Sequence, residues 1–281
     1  MTNAAIDGVF PIVVDKSAFI DTLKLGIWGE RRPEPMGEIV GRENKPIGGK
    51  LSKYGRLDRG TFASTGNRYE LVYGPRRKFL PLTMLALRSD QTLVTRENTI
   101  EVFNALCQGV KRVTVSQLEL TFDLSGRSVK QLDQMIFTSA RRFRTLEDEY
   151  GRQTFYIGAP TGRWQVRVYE KTTNITRLEF ILRRTFLRQR RVSRVEDIDL
   201  LRYLDFADCV FLQKPNTYAL KTISNDLSPE RRRAFESLFT MLPLREFVVT
   251  AKDLFGVPNR DLVMPDALND QVRRMQRKMI F

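Results

Sequence analysis

The residues best suited to chemistry in this chain fall on short stretches of alternating sequence. In Leu118-Glu119-Leu120-Thr121-Phe122-Asp123-Leu124 the apolar side chains take the even positions, and Glu119, Thr121 and Asp123 take the odd ones. Successive side chains of a β-strand point to opposite faces, so these polar groups share one surface if the stretch is extended. The same alternation recurs over 163–171, where Trp164, Val166 and Val168 interleave with Arg163, Gln165, Arg167, Tyr169 and Lys171. It recurs again over 176–184, where Leu178, Phe180 and Leu182 interleave with Arg177, Glu179, Ile181 and Arg183. In a further stretch Tyr156 shares a face with Thr154 and Gly158. With these strands in one sheet and helices over its apolar face, the open face carries carboxylates, tyrosines and cations together.

That mix suits phosphoryl transfer. Glu119, Asp123 and Glu179 are hard oxygen donors of the kind that hold a divalent metal, Mg or Mn. Such an ion polarises a scissile phosphate as a Lewis acid. A tyrosine oxygen attacks as the phenolate, and its ordinary pKa is about 10. The neighbouring Lys171 and Arg167, or the metal itself, are expected to favour that form. Arg177 and Arg183 are expected to stabilise the charge of the transition state. Each residue also has a plainer reading. Tyrosine is favoured in strands for packing alone, Glu119 and Asp123 suit solvated positions, and Glu179 between Arg177 and Arg183 suits a structural ion pair.

The elements that must position these groups are legible around them. Val9–Val14 and Ala18–Leu25 read as strands. Residues 27–60 are rich in Gly, Pro, Lys and Arg and read as a basic loop that orders in part on DNA. Short strands are expected near 61–63, 68–73 and 79–88, with a Gly74-Pro75 turn between the second and third. Thr95 can cap a helix reaching Cys107, with Ile100, Phe103 and Leu106 on one face. After the strand Arg112–Leu124, a long helix is expected from Ser128 to Glu147, striped by Val129, Leu132, Ile136, Phe143 and Leu146. The strands 153–158, 163–171 and 176–184 then form a meander. Helices are expected at Val195–Phe206, Pro229–Leu242, Leu244–Phe255 and Pro265–Ile280, with Ser228 capping the second and Pro229 at its first position. No internal repeat is evident. The domain organisation predicted is 1–60 as N-terminal strands and basic loop, 61–194 as the sheet domain, and 195–281 as a helical C-terminal region. The fold class is α+β: a central, mostly antiparallel sheet with helices packed on one face.

Composition narrows the function. The 281 residues hold 47 Lys+Arg against 33 Asp+Glu, a net charge of +14, which points first to a polyanion partner. The stretch 183–194 contains Arg183, Arg184, Arg188, Arg190, Arg191 and Arg194 with no acid among them. That exceeds what solubility needs and suits phosphate contact. The chain contains no histidine. This excludes Ser-His-Asp and Cys-His triads, His-ligated zinc and iron, and nucleases whose metal is held by histidines. Cys107 and Cys209 lie far apart and form neither a metal pair nor a disulfide framework. With no signal-peptide pattern and no apolar run of membrane length, a cytoplasmic protein is expected, with no membrane partner.

Three segments, in order, resemble the Rep_trans, or replication initiation factor, family: rolling-circle initiators of plasmids and filamentous-type phages. Gln117-Leu118-Glu119-Leu120-Thr121-Phe122-Asp123 resembles its acidic strand. Thr154-Phe155-Tyr156-Ile157-Gly158 followed by Arg167-Val168-Tyr169-Glu170-Lys171 resembles its tyrosine signature. Thr176-Arg177-Leu178-Glu179-Phe180-Ile181-Leu182-Arg183 resembles its last strand, and Phe19-Ile20-Asp21-Thr22-Leu23 more weakly its first. The likeness covers roughly residues 115–185. Glu119 stands where the family usually has Asp, Gln117 where Arg is common, and Ala159-Pro160-Thr161-Gly162 where a Ser-rich loop is usual. The resemblance implies a metal-dependent nickase that attacks one strand of a double-stranded origin, leaving a 5′-phosphotyrosine and a free 3′-OH. It makes Tyr169 the nucleophile, with Tyr156 in reserve, and implies a homodimer and a host helicase as further partners. Two alternatives stand beside it. One is a non-catalytic DNA-binding regulator on the same fold. The other is an RNA-binding sheet, against which the acidic face argues.

Overall fold

The alternating stretches pair into one antiparallel sheet in the computed structural model, which describes residues 18–49, 52–90, 92–126, 128–137, 143–149, 151–203, 209, 211–242 and 244–278. Its first strands are β1 (Ala18–Arg31), β2 (Ile39–Pro46), β3 (Tyr54–Phe62), β4 (Arg68–Pro75) and β5 (Thr83–Arg88). Helix α1 (Arg96–Leu106) leads to the long β6 (Cys107–Ser125). Helix α2 (Val129–Met135), β7 (Ile136–Phe137), β8 (Phe143–Glu147), β9 (Gln153–Ile157), β10 (Trp164–Thr172), β11 (Ile175–Arg183) and α3 (Arg184–Gln189) follow. A 3-10 helix over Val195–Tyr203 and β12 (Phe211–Pro215) lead to α4 (Thr217–Asp226), α5 (Pro229–Met241) and α6 (Leu244–Phe255). Helix α7 (Asn259–Leu262), β13 (Val263–Pro265) and α8 (Leu268–Arg277) close the described chain.

The ten-stranded sheet runs β2-β3-β4-β5-β1-β6-β11-β10-β9-β8. Its two halves follow one plan. A central strand, β1 or β6, is followed by a crossing to the far edge and a meander back, so that β5 pairs with β1 and β11 with β6. β1 and β6 then join the halves antiparallel. The apolar positions of the strands, among them Leu23, Leu85, Leu118, Phe122, Val166 and Leu178, form one core with Val102 and Leu106 of α1, Leu132 of α2, Phe186 of α3 and Val272 of α8. This is the expected α+β arrangement. A separate small core of Phe235, Phe247, Val248 and Leu262 unites α4 to α7, and β13-β12-β7 forms a small second sheet.

Most of the described part of 27–60 is strand rather than basic loop. β1 extends to Arg31, and β2 and β3 form a paired edge of the same sheet as the residues that follow. Their charges gave no apolar signal because an outer strand is wet on most of its surface, where charge discourages further pairing. The long helix expected over 128–147 is replaced by the short α2, and the chain then extends to pair Phe137 with Phe211 and Thr145 with Phe155. The stripe Val129-Leu132 is helical as expected; beyond it, strand pairing overrides the helical period. Thr95 caps α1 as expected, its Oγ1 accepting from the Asn98 N–H at 3.2 Å. The buried face is Thr99, Val102, Ala105 and Leu106, however, and Ile100 is exposed. The predicted strand over Val9–Val14 lies outside the described residues, as do Arg141, Arg142, Met279 and Ile280.

One buried ion cluster ties the first half together. Asp58 on β3, fully buried, accepts from Arg31 of β1 and Arg42 of β2, and from the Tyr69 hydroxyl of β4 at 2.9 Å. Burial alone would raise the Asp58 pKa, but the hydrogen bonds from Arg42, Arg31 and Tyr69 outweigh it and hold the carboxyl below its ordinary value.

Candidate active site

The register of β6, β11, β10 and β9 assembles the polar face. Arg177 lies opposite Asp123 on one side and Tyr169 on the other; Glu179 lies opposite Thr121 and Arg167. Arg167 lies opposite Tyr156, and Tyr169 opposite Thr154. Gly158 ends β9 with φ +86°, where a Cβ would come within 3.0 Å of the Trp164 carbonyl oxygen. That position therefore requires glycine, and it sets the turn that aligns β9 with β10.

Asp123 and Glu179 each pair with an arginine on the neighbouring strand. Arg177 holds Asp123 bidentately, Nε to Oδ1 at 2.6 Å and a terminal nitrogen to Oδ2 at 2.9 Å. Lys171 Nζ reaches the same Oδ2 at 2.9 Å. Arg167 pairs with Glu179, which is 1% exposed, and its guanidinium lies over the Tyr169 ring, 5.4 Å from the centroid. The Tyr169 hydroxyl donates to Glu179 Oε1 at 2.6 Å. Gln117 donates to Glu119 Oε1 at 2.6 Å.

The expectation that nearby cations favour the Tyr169 phenolate is reversed. Burial, and then the Glu179 hydrogen bond and charge, push its pKa up to about 12, while Arg177 acts the other way by less. The reason is local: Lys171 is paired with Asp123 and Arg167 with Glu179, so neither is aimed at the hydroxyl. A neutral phenol donating to a carboxylate is the resting arrangement.

The expected metal ligands also divide. Asp123 has both oxygens engaged by Arg177 and Lys171. For Asp123, burial would raise the pKa, but the hydrogen bonds from Arg177 and then Lys171 bring it below the ordinary value. Glu119 and Glu179 instead face Asp21 of β1, a residue that the sequence motifs left out of the site. A register shift between Ile20 and Thr22 makes Asp21 an extra residue opposite Glu119. Bulges of this kind re-aim side chains beside functional sites. The pKa of Asp21 is raised by burial, then by repulsion from Glu179 and Glu119. Thr121 Oγ1 beside them is buried without a hydrogen-bond partner. Crowded carboxylates and an unsatisfied hydroxyl are hard oxygen donors whose chemistry fits a divalent cation. Among the described residues, no group of three such side chains is yet drawn together tightly enough to enclose one. The only sequence signal for Asp21 was its place in the weakest motif; the bulge cannot be read from residue types.

The arginine run after β11 also divides. Arg183 is half-buried and donates to the Gly162 carbonyl at 3.1 Å. Arg184 and Arg188 line a small cleft against β6. Arg190 lies over the Phe186 ring at 5.6 Å. Arg191 is exposed with φ +62°, and exposed Arg194 has its N–H on Asp197 Oδ2 at 2.8 Å.

No helix among the described residues is long and apolar enough to cross a membrane. No family model matches the sequence, and no curated protein matches it. Among solved structures the chain is similar to the rolling circle replication initiator protein from Geobacillus stearothermophilus. The two share 15% identity with a TM-score of 0.43, and the match covers 70% of this chain and 87% of that one.

Proposed function

We propose that this chain is a DNA strand transferase that opens an origin by nicking, with Tyr169 as nucleophile and Glu179 as its base. The observation that carries the reading is the Tyr169 hydroxyl, half-buried on the polar face of the sheet and 2.6 Å from a carboxylate oxygen, among Arg167, Arg177 and Lys171. A general base must lie within hydrogen-bond reach of the proton it takes, and Glu179 does. In the step proposed, Glu179 accepts the phenol proton and the tyrosine oxygen bonds to phosphorus. The bond from phosphorus to the 3′ oxygen breaks, and that oxygen takes up a proton and leaves as a hydroxyl. The product is a 5′-phosphotyrosine that a later 3′-OH can reverse. Arg177, buried and fixed by Asp123, provides a positive charge that needs no reorganisation as the phosphorane charge develops.

A divalent ion, Mg or Mn, held by Glu119 and Asp21 would supply Lewis-acid polarisation of the phosphate when bound, with Glu179 kept as the base by Tyr169 and Arg167. In this reading Asp123 is not a ligand; it positions Arg177 and Lys171. The net charge of +14 favours duplex origin DNA and the nicked single strand as partners. A homodimer and a helicase belong to the same proposal.

The test is covalent capture on supercoiled DNA carrying the replicon's origin, with and without Mg or Mn, beside Tyr169→Phe. A metal-dependent protein–5′-DNA adduct absent from Tyr169→Phe is expected. An adduct that survives in that variant moves the nucleophile to Tyr156. No adduct on DNA the protein binds leaves a non-catalytic regulator.

A further inference from the structure

A basic cleft lies on the same face of the sheet, away from the tyrosine. Where β11 ends at Arg183, α3 takes its place alongside β6 and encloses a cleft of about 180 Å³ lined by Arg112, Thr114, Arg184, Arg188 and Ser193. Arg184 and Arg188 are four residues apart on α3 and so share a side of the helix. Arg112 comes from β6, its guanidinium 4.7 Å from the centroid of the Trp28 ring on the neighbouring strand. Alternation puts the cleft on the tyrosine's side. A register shift between Lys24 and Leu25 makes Ser116 an extra residue of β6, and Thr114 and Arg112 then pair with Gly26 and Trp28, which share a face with Lys24.

Three features identify the ligand class. No acidic side chain lines the cleft, and among the described residues none of its three arginines is in an ion pair. Of the two acids just beyond Ser193, Glu196 is exposed and Asp197 accepts from the Ser193 and Arg194 N–H groups at 3.0 and 2.8 Å. Guanidinium groups gathered around hydroxyls without a counter-charge repel one another until an anion joins them, and phosphate matches their fork geometry. The volume is below the roughly 300 Å³ typical of pockets for whole drug-sized ligands, a size that suits a single phosphate group. Thr114 lies nine positions along β6 from Asp123, which is level with Tyr169. At about 3.3 Å per residue the cleft is roughly 30 Å from the nucleophile.

We infer that Arg112, Arg184 and Arg188 grip one phosphodiester of the strand being cut, several nucleotides from the scissile bond, with Trp28 holding Arg112 in place. This deepens the proposed function and rests on the reading that the open face receives a DNA strand. It makes strand length on one side of the nick a determinant of affinity.

The experiment measures single-stranded binding by anisotropy at several salt concentrations, using a ladder of oligonucleotides extended stepwise from the nick position. All proteins carry Tyr169→Phe so that no chemistry intervenes. Beyond a threshold length the slope of log affinity against log salt should steepen by about 0.7 per phosphate gripped. Arg112→Gln with Arg184→Gln and Arg188→Gln should abolish that step and leave short oligonucleotides unaffected. A control removing the same charge elsewhere, Arg233→Gln with Arg260→Gln and Arg277→Gln, should retain it. A step that persists in the cleft variant, or is lost equally in the control, overturns the inference. Binding is read without nicking, so failure of covalent capture in the otherwise native protein would count against the proposed chemistry and leave this result standing.

Discussion

Replacing Glu179 by Gln separates two roles that pull in opposite directions. The substitution keeps the size of the side chain and removes its charge. Tyr169 then loses the second and third causes of its raised pKa, the carboxylate hydrogen bond and the carboxylate charge, and keeps the first, burial. A pKa of about 12 against the ordinary 10 corresponds to about 2.7 kcal/mol in favour of the neutral phenol. That is an upper bound, because the ring is only half-buried and solvent screens the interaction. The Tyr169 titration should therefore move down by less than two units, and the phenolate population near neutral pH should rise by less than about a hundredfold. If Glu179 only restrained the nucleophile, adduct formation would accelerate accordingly. If Glu179 is the base, the rate should fall by roughly 10²–10⁴ despite the larger phenolate fraction. The phenolate absorbance, with Tyr169→Phe subtracted, gives the first quantity. Single-turnover adduct formation on an oligonucleotide, from about pH 6 to about pH 10, gives the second. Because Gln leaves Arg167 without its counter-charge, the melting temperature must be recorded to normalise the rate to folded protein. A Glu179→Gln protein that is folded and forms adduct as fast as the native protein near neutral pH refutes the base assignment.

Other expectations follow from the same geometry. Asp58→Ala leaves Arg31 and Arg42 facing an emptied buried site, and chemical denaturation should show a loss of about 3–5 kcal/mol. Asp58 and Asp123 both have depressed pKa values, so their contribution is present above the ordinary carboxylate range and lost as pH falls through the folded values. Denaturation midpoints should accordingly drop below about pH 4, and an Asp58→Asn, Asp123→Asn double variant should show a flatter profile there. Asp21→Asn removes one of three mutually repelling carboxylates; it should melt higher than the native chain without metal and gain less from Mg or Mn, whereas an equal gain would exclude Asp21 from the ion's site. Gly158→Ala places a Cβ against the Trp164 carbonyl at positive φ, and thermal melts should register a cost of about 1–3 kcal/mol.

Much of the site was legible because it rests on period-two alternation. Glu119, Asp123, Arg167, Tyr169, Arg177 and Glu179 lie on one face, as the pattern of Leu and Val between them required. Their pairing was not legible, since register decides that Asp123 meets Arg177 while Glu179 meets Arg167. A one-residue slip would have reversed the faces. Asp21 was missed because a bulge sets its direction. The edge strands within 27–60 were missed because wet strands carry charge where core strands carry Val and Leu. The helix over 128–147 was overextended because Val129, Leu132 and Ile136 fit a helical period that the following residues abandon to pair with β9 and β12.

The two halves of the sheet carry similar ion clusters on opposite sides of it. Both contain a carboxylate, arginines and a tyrosine joined by hydrogen bonds: Asp58, Arg31, Arg42 and Tyr69 in the first, Glu179, Arg167 and Tyr169 beside Asp123 and Arg177 in the second. The residue types are the same, and the side of the sheet differs. Asp58 lies opposite Leu71, and Tyr69 opposite Leu87, so that set points into the helix-covered core, where Tyr69 is 1% exposed. Burial pushes the Tyr69 phenol further above its ordinary value than that of Tyr169, and no phosphate could reach it. At the matching place on the polar face, β4 and β5 present Val72, Met84 and Ala86 beside Arg68, Glu70 and Arg88, with no tyrosine. The first half therefore keeps its ion cluster inside the core, where it joins β1, β2, β3 and β4. Only in the second half does alternation turn an equivalent cluster to the polar face, leaving a tyrosine hydroxyl, the carboxylate it donates to and a fixed arginine together there.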